Sequence, residues 1–152
     1  MKLFCAVMAL ACVPAALAKN DAPYPKEKVA EFVVAKLDVT TLPAAMQPKR
    51  DKGKKTFGDY GYVTRQLDEN EALVEAASGG SQINIKILEQ KSAGIYVCIA
   101  GPGKGAREGQ IQRVYLLKLK SASGLLKGTE SWKEFEGCPV SGGDSGGGSY
   151  GG

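Results

Sequence analysis

From residue 82 to residue 99 the apolar side chains recur at every second position. Ile83, Ile85 and Ile87 alternate with Asn84 and Lys86, and Ile95, Val97 and Ile99 alternate with Tyr96 and Cys98. A repeat of two is the pleat of a β-strand with one face buried, and it cannot seat a helix. Lys91-Ser92-Ala93-Gly94 lies between the two runs and reads as a turn, so they form an antiparallel pair.

The same pattern extends on both sides. Tyr60–Leu67 and Glu71–Ala77 flank the polar turn Asp68-Glu69-Asn70, and Ser78-Gly79-Gly80-Ser81 leads into the isoleucine strands. Ile111–Lys120 is a further strand, with Ile111, Tyr115, Leu117 and Leu119 on one side and Arg113 interrupting. A sheet with one apolar face needs a cover. Between Pro25 and Asp38, residues Val29, Phe32, Val33 and Leu37 fall at helical spacing, and Pro25 suits a first turn. Val39–Leu42 reads as a short extended piece. Ser131-x-x-Glu134 has the form of a capping box opening one or two helical turns, ended by Gly137 and Pro139. The predicted fold is therefore α+β. One N-terminal amphipathic helix packs on an antiparallel meander of about five strands, followed by a short C-terminal helical turn.

The first eighteen residues belong to export. Lys2 is followed by an apolar run from Leu3 to Val13, then Pro14 and the small-x-small pattern Ala16-Leu17-Ala18, which places cleavage between Ala18 and Lys19. The run is shorter than the about 20 apolar residues a membrane-spanning helix needs. An alternative is a loose lipobox, Ala9-Leu10-Ala11-Cys12, with acylation and membrane anchoring at Cys12. Residues 19–140 are then one globular domain, and 141–152, almost wholly Gly, Ser and Asp, a flexible tail. The location expected is the periplasm or the extracellular space.

Export leaves two of the four cysteines, Cys98 and Cys138, and an oxidising compartment pairs them. Cys98 lies on the strand face opposite the isoleucines. A disulfide therefore staples the C-terminal segment to the second face or the edge of the sheet, and Trp132 and Phe135, three apart, read as a plug facing that sheet rather than as a ligand platform.

The chain has no histidine. That removes Ser-His-Asp and Cys-His catalysis and histidine metal sites, and no catalytic, metal or cofactor site is assigned. Gly101-Pro102-Gly103-Lys104-Gly105-Ala106 formally matches a dinucleotide fingerprint, but Gly105 and Gly109 weaken a following helix and the next segment reads as a strand. It is read as a hairpin loop. Glu69, Glu71 and Glu75 flank a turn and read as surface charge.

Removing residues 1–18 takes away one of 20 basic residues and none of 16 acidic ones, leaving a net charge of +3. That mild excess argues against a nucleic-acid protein. It is locally concentrated, however. Lys49, Arg50, Lys52, Lys54 and Lys55 occupy one glycine- and proline-punctuated loop with Phe57, Tyr60 and Tyr62 beside it, and Lys104 and Arg107 add to it if the two loops meet. These are the candidate contacts for an anionic ligand or protein partner, set against a plain solvated loop. The functional expectation is an exported, non-enzymatic binding domain. The alternatives are a small secreted hydrolase using carboxylates or a Ser-Lys pair, and a structural component of the envelope.

Overall fold

The computed structural model describes residues 23–103, 110–120 and 124–139. The expected export signal and its expected Ala18–Lys19 junction, Cys12, residues 141–152, and Lys104 and Arg107 lie outside the described residues.

The fold is mostly sheet. Strands β1 (Tyr62–Leu67), β2 (Glu71–Ala76), β3 (Gln82–Lys91), β4 (Gly94–Pro102), β5 (Gln110–Lys120) and β6 (Leu125–Glu130) form a six-stranded antiparallel meander in chain order. This is one strand more than the alternation predicts. β6 was hidden by Lys127 and Gly128, which interrupt its apolar pattern. The glycine has a packing reason: a Cβ there would lie 3.3 Å from Thr41 Oγ1 and 3.4 Å from Leu117 Cδ2.

The alternating residues sort as the pleat requires. Ile83, Ile85, Ile95, Val97, Ile99, Leu117 and Leu126 are wholly buried on one face. Helix α1 (Val29–Lys36) packs on that face through Val29 and Val33, with Leu37 just beyond its end. The helix is shorter than the Pro25–Asp38 span predicted. Lys28, at its N-cap, sits in the left-handed region at φ 53°, so helical geometry starts only after it. At the other end Leu37 is extended and bridges to Leu126.

Val39–Thr41 is a 3-10 turn, not the extended piece its β-branched residues predict. Asp38 overrides that propensity. Its buried carboxylate accepts from the Thr40 N–H at 3.2 Å and the Thr40 hydroxyl at 2.5 Å. This segment also shields the β6 edge: the Asp38 N–H donates to the Leu126 carbonyl, and the Gly128 N–H to Thr41 Oγ1. The other edge, β1, is broken by a bulge between Thr64 and Gln66, where Arg65 pairs with Glu75. Edges treated in these ways resist pairing with other chains.

Cys98 and Cys138 form a disulfide. It closes a second, smaller cluster on the opposite face of the sheet, where Cys98, Val114 and Cys138 are buried against Leu88, Tyr96 and Phe135. The helical turn predicted at 131–137 is not formed. Residues 131–135 run without helix to a turn at Glu136–Gly137, and the Ser131 hydroxyl accepts from the Lys133 N–H at 3.3 Å, a local turn in place of a cap. Phe135 packs on Tyr96 with ring centroids 5.3 Å apart, while Trp132 is 84% exposed. The expectation that both rings plug the sheet fails for Trp132.

Candidate functional site

Lys49, Arg50, Lys52, Lys54 and Lys55 are all exposed on the connection between the 3-10 turn and β1. Its two ends are anchored in the core: Met46 and Phe57 are each 1% exposed. Between those anchors the backbone is closed by its own side chains. Asp51-Lys52-Gly53-Lys54 is a turn, with the Lys54 N–H on the Asp51 carbonyl at 3.2 Å and Gly53 at φ 88°, a conformation that favours glycine.

The second half of the loop is fixed by Asp59. Its Oδ2 accepts from the backbone N–H groups of Lys55 at 2.9 Å and Thr56 at 2.8 Å, and the Asp59 N–H donates to Thr56 Oγ1 at 3.2 Å. Those two backbone donors hold the Asp59 carboxyl below its ordinary value of 3.8. Tyr60 bridges the two halves: its hydroxyl accepts from the Asp51 N–H at 3.3 Å and donates to the Lys54 carbonyl at 3.4 Å. The Lys55 carbonyl in turn takes the Val39 N–H at 2.8 Å, tying the loop to the 3-10 turn.

The basic residues therefore divide. Lys54 is structural: its ammonium lies 2.9 Å from Asp51 and 5.8 Å from the Tyr60 ring centroid. The Asp51 partner raises the Lys54 pKa, and Lys54 lowers that of Asp51. Lys49, Arg50, Lys52 and Lys55 meet no carboxylate among the described residues. Asp59, which orders the loop, was not singled out from sequence, and Tyr60 was read only as an aromatic beside the charges. The signal was present as Thr56-x-x-Asp59, a reciprocal capping pattern with Asp in the acidic place.

The glycine-rich connection leaves the sheet beside this loop. A Cβ on Gly101 would lie 3.3 Å from Met46 Cγ, so the end of β4 and the root of the basic loop are in contact. β4 and β5 are antiparallel neighbours on either side of that connection, which is not the strand-to-helix geometry of a dinucleotide fingerprint.

The three carboxylates at the β1–β2 turn are dispersed. Glu71 accepts from the Asn84 amide at 2.8 Å and Glu75 pairs with Arg65. Glu69 lines a cleft of about 440 Å³ with Glu27, Glu31 and Asp68. The buried Tyr115 hydroxyl finds no hydrogen-bond partner among the described residues. Burial, reinforced by Glu130, pushes its pKa up to about 12.

Comparison with family models, with characterised proteins and with solved structures finds no match. Among the described residues no helix is long and apolar enough to cross a membrane.

Proposed function

We propose that this chain is an exported binding module whose 49–55 loop engages an anionic partner, either a free ligand or a charged envelope surface. In this reading the domain is α+β, with the short N-terminal helix backing the sheet. The observation that carries it is the division of labour within the loop. Asp51, Asp59 and Tyr60 hold the backbone in one conformation, and Lys49, Arg50, Lys52 and Lys55 are left exposed without a counter-charge. A solvated loop needs no such fixing. A binding loop gains from it, because ordering that is already complete is not charged against association.

Export is supported by the Cys98–Cys138 disulfide together with the signal pattern in residues 1–18. Lys104 and Arg107 remain candidate contributors, since the connection that carries them starts beside Met46.

The test is retention on a sulfated-polysaccharide resin and co-sedimentation with vesicles of phosphatidylglycerol in phosphatidylcholine. Wild-type protein is expected to bind at least one and to be released by salt. The variant Lys49→Ala/Arg50→Ala/Lys52→Ala/Lys55→Ala is expected to lose that binding while keeping its fold. Equal binding by that variant would remove the proposal.

A further inference from the structure

The second face of the sheet carries a different surface. Leu116, Lys118 and Lys120 of β5 and Leu125, Lys127 and Thr129 of β6 share the face of Tyr96 and Cys98, as the register requires. Lys118 lies directly across from Lys127, and both are exposed. Like charges directly opposite destabilise a strand pair, and neither lysine meets a carboxylate among the described residues. Residues 110–129 contain no acid at all.

Beside this pair stands Trp132, 84% exposed yet held from both sides. On one side the Ser131 N–H donates to the Val114 carbonyl at 2.8 Å. On the other, Lys133 reaches Glu89 at 2.6 Å and lies 4.7 Å from the Tyr96 ring and 4.5 Å from the Phe135 ring. The Cys98–Cys138 disulfide closes the same segment. A large aromatic kept out in water on a fixed backbone is the form of a binding anchor. Its ring walls a cleft of about 300 Å³, whose other lining residues are Leu116, Lys118, Thr129, Glu130 and Ser131.

We infer that this cleft is a saccharide subsite for an acidic glycan. A pyranose offers an apolar C–H face to the indole and a rim of hydroxyls to Thr129 and Ser131. A carboxylate or sulfate on the same or the next sugar supplies the counter-charge that Lys118 and Lys127 lack. A bilayer fits less well, because Trp132 is the only bulky apolar side chain of the cleft that is fully exposed. The basic loop is a separate surface. It packs by the Gly101 end of β4, whereas Leu116 and Lys118 lie against Gly94 at the other end.

Trp132 is the only tryptophan in the chain, so its fluorescence reports this cleft alone. The experiment titrates the full mature chain with tetramers of galacturonate, alginate and heparin, with maltotetraose as the neutral control and phosphatidylglycerol vesicles as the competing surface. At least one acidic tetramer is expected to shift the emission saturably. The affinity should fall at least tenfold in Lys118→Ala/Lys127→Ala, and calorimetry should find no binding at this cleft in Trp132→Ala. The response should persist in the variant lacking Lys49, Arg50, Lys52 and Lys55, which separates this inference from the proposed role of the loop. A response to none of the acidic tetramers, a response to vesicles alone, or undiminished calorimetric binding by Trp132→Ala in the background lacking the four loop charges would overturn it.

Discussion

Thr56 and Asp59 cap one another: the Asp59 carboxylate accepts the Thr56 N–H at 2.8 Å, and the Thr56 hydroxyl accepts the Asp59 N–H at 3.2 Å. This pair separates a fixed basic loop from a merely charged one, and it yields a prediction that charge alone would reverse. Asp59→Ala removes a negative charge beside the cluster, which on charge alone strengthens binding of an anion. It also releases the N–H groups of Lys55 and Thr56. The expected result is weaker anion binding and a modest loss of stability, as for a lost cap. Retention on the anionic resin and urea melts of wild type and variant check both.

The same capping has a pH signature. The folded-state pKa of Asp59 is depressed, so its stabilising effect is present above the unfolded value of 3.8 and is lost as pH falls through the lower folded value. Loop order therefore persists at pH 4 and fades only in stronger acid. Amide exchange of Lys55 and Thr56, followed from neutral pH downward and corrected for intrinsic rates, is expected to show protection that fails below the unfolded value.

Cys98 and Cys138 are 40 residues apart in sequence, and a closed loop of that length is worth about 4 kcal/mol in the chain-entropy account. Cys98→Ala/Cys138→Ala is expected to lose stability of that order. It should also free the 131–139 segment, so that Tyr96 and Val114 become accessible. Denaturant unfolding of the oxidised and double-alanine proteins measures the first, and proteolysis after Lys133 the second.

Tyr115 presents its hydroxyl to the core without a partner. Tyr115→Phe removes that buried polar group and is expected to raise stability by about 1 kcal/mol. The raised pKa adds a second signature. The folded state holds the phenolic proton more tightly than the unfolded one, so stability is intact below pH 10 and declines as pH rises from 10 towards 12. Tyr115→Phe should flatten that alkaline decline, as thermal melts across the range will show.

Lys28 occupies the left-handed region at φ 53°, which costs an L-residue roughly 1 kcal/mol and glycine almost nothing. Lys28→Gly is expected to be neutral or stabilising by up to about 1 kcal/mol, and Lys28→Val destabilising. The lysine side chain forms only an exposed pair with Glu31 at 3.8 Å, so little opposes the gain.

The core sheet was legible because its signal is local: Ile83, Ile85, Ile95, Val97 and Ile99 each declare their face by position, and Cys98 declares the opposite one. What escaped depended on contacts distant in sequence. β6 is a strand because Leu126 fills the core and Gly128 admits Thr41, facts absent from its own six residues. Two similar motifs behaved differently for the same reason. Thr56-x-x-Asp59 closes a turn around the buried Phe57, whose carbonyl accepts the Tyr62 N–H at 3.0 Å. Ser131-x-x-Glu134 forms no helical turn, because its segment is tied instead to Val114, Glu89 and Cys98. Of the basic site, the charges were readable; the split between structural Lys54 and its four exposed neighbours was not, since it rests on Asp51 and Tyr60.

The central claim is that a pre-ordered loop presents Lys49, Arg50, Lys52 and Lys55 to an anionic partner. Its most direct test is the salt dependence of binding to the sulfated-polysaccharide resin and to phosphatidylglycerol vesicles, for the wild type, the four-alanine variant and Lys54→Ala. Wild-type binding to at least one should fall steeply with salt. The four-alanine variant should show little binding and a shallow slope. Lys54→Ala should keep most of the slope but bind more weakly, as its loop loosens. Salt-independent binding, or a four-alanine variant indistinguishable from wild type, would contradict the account.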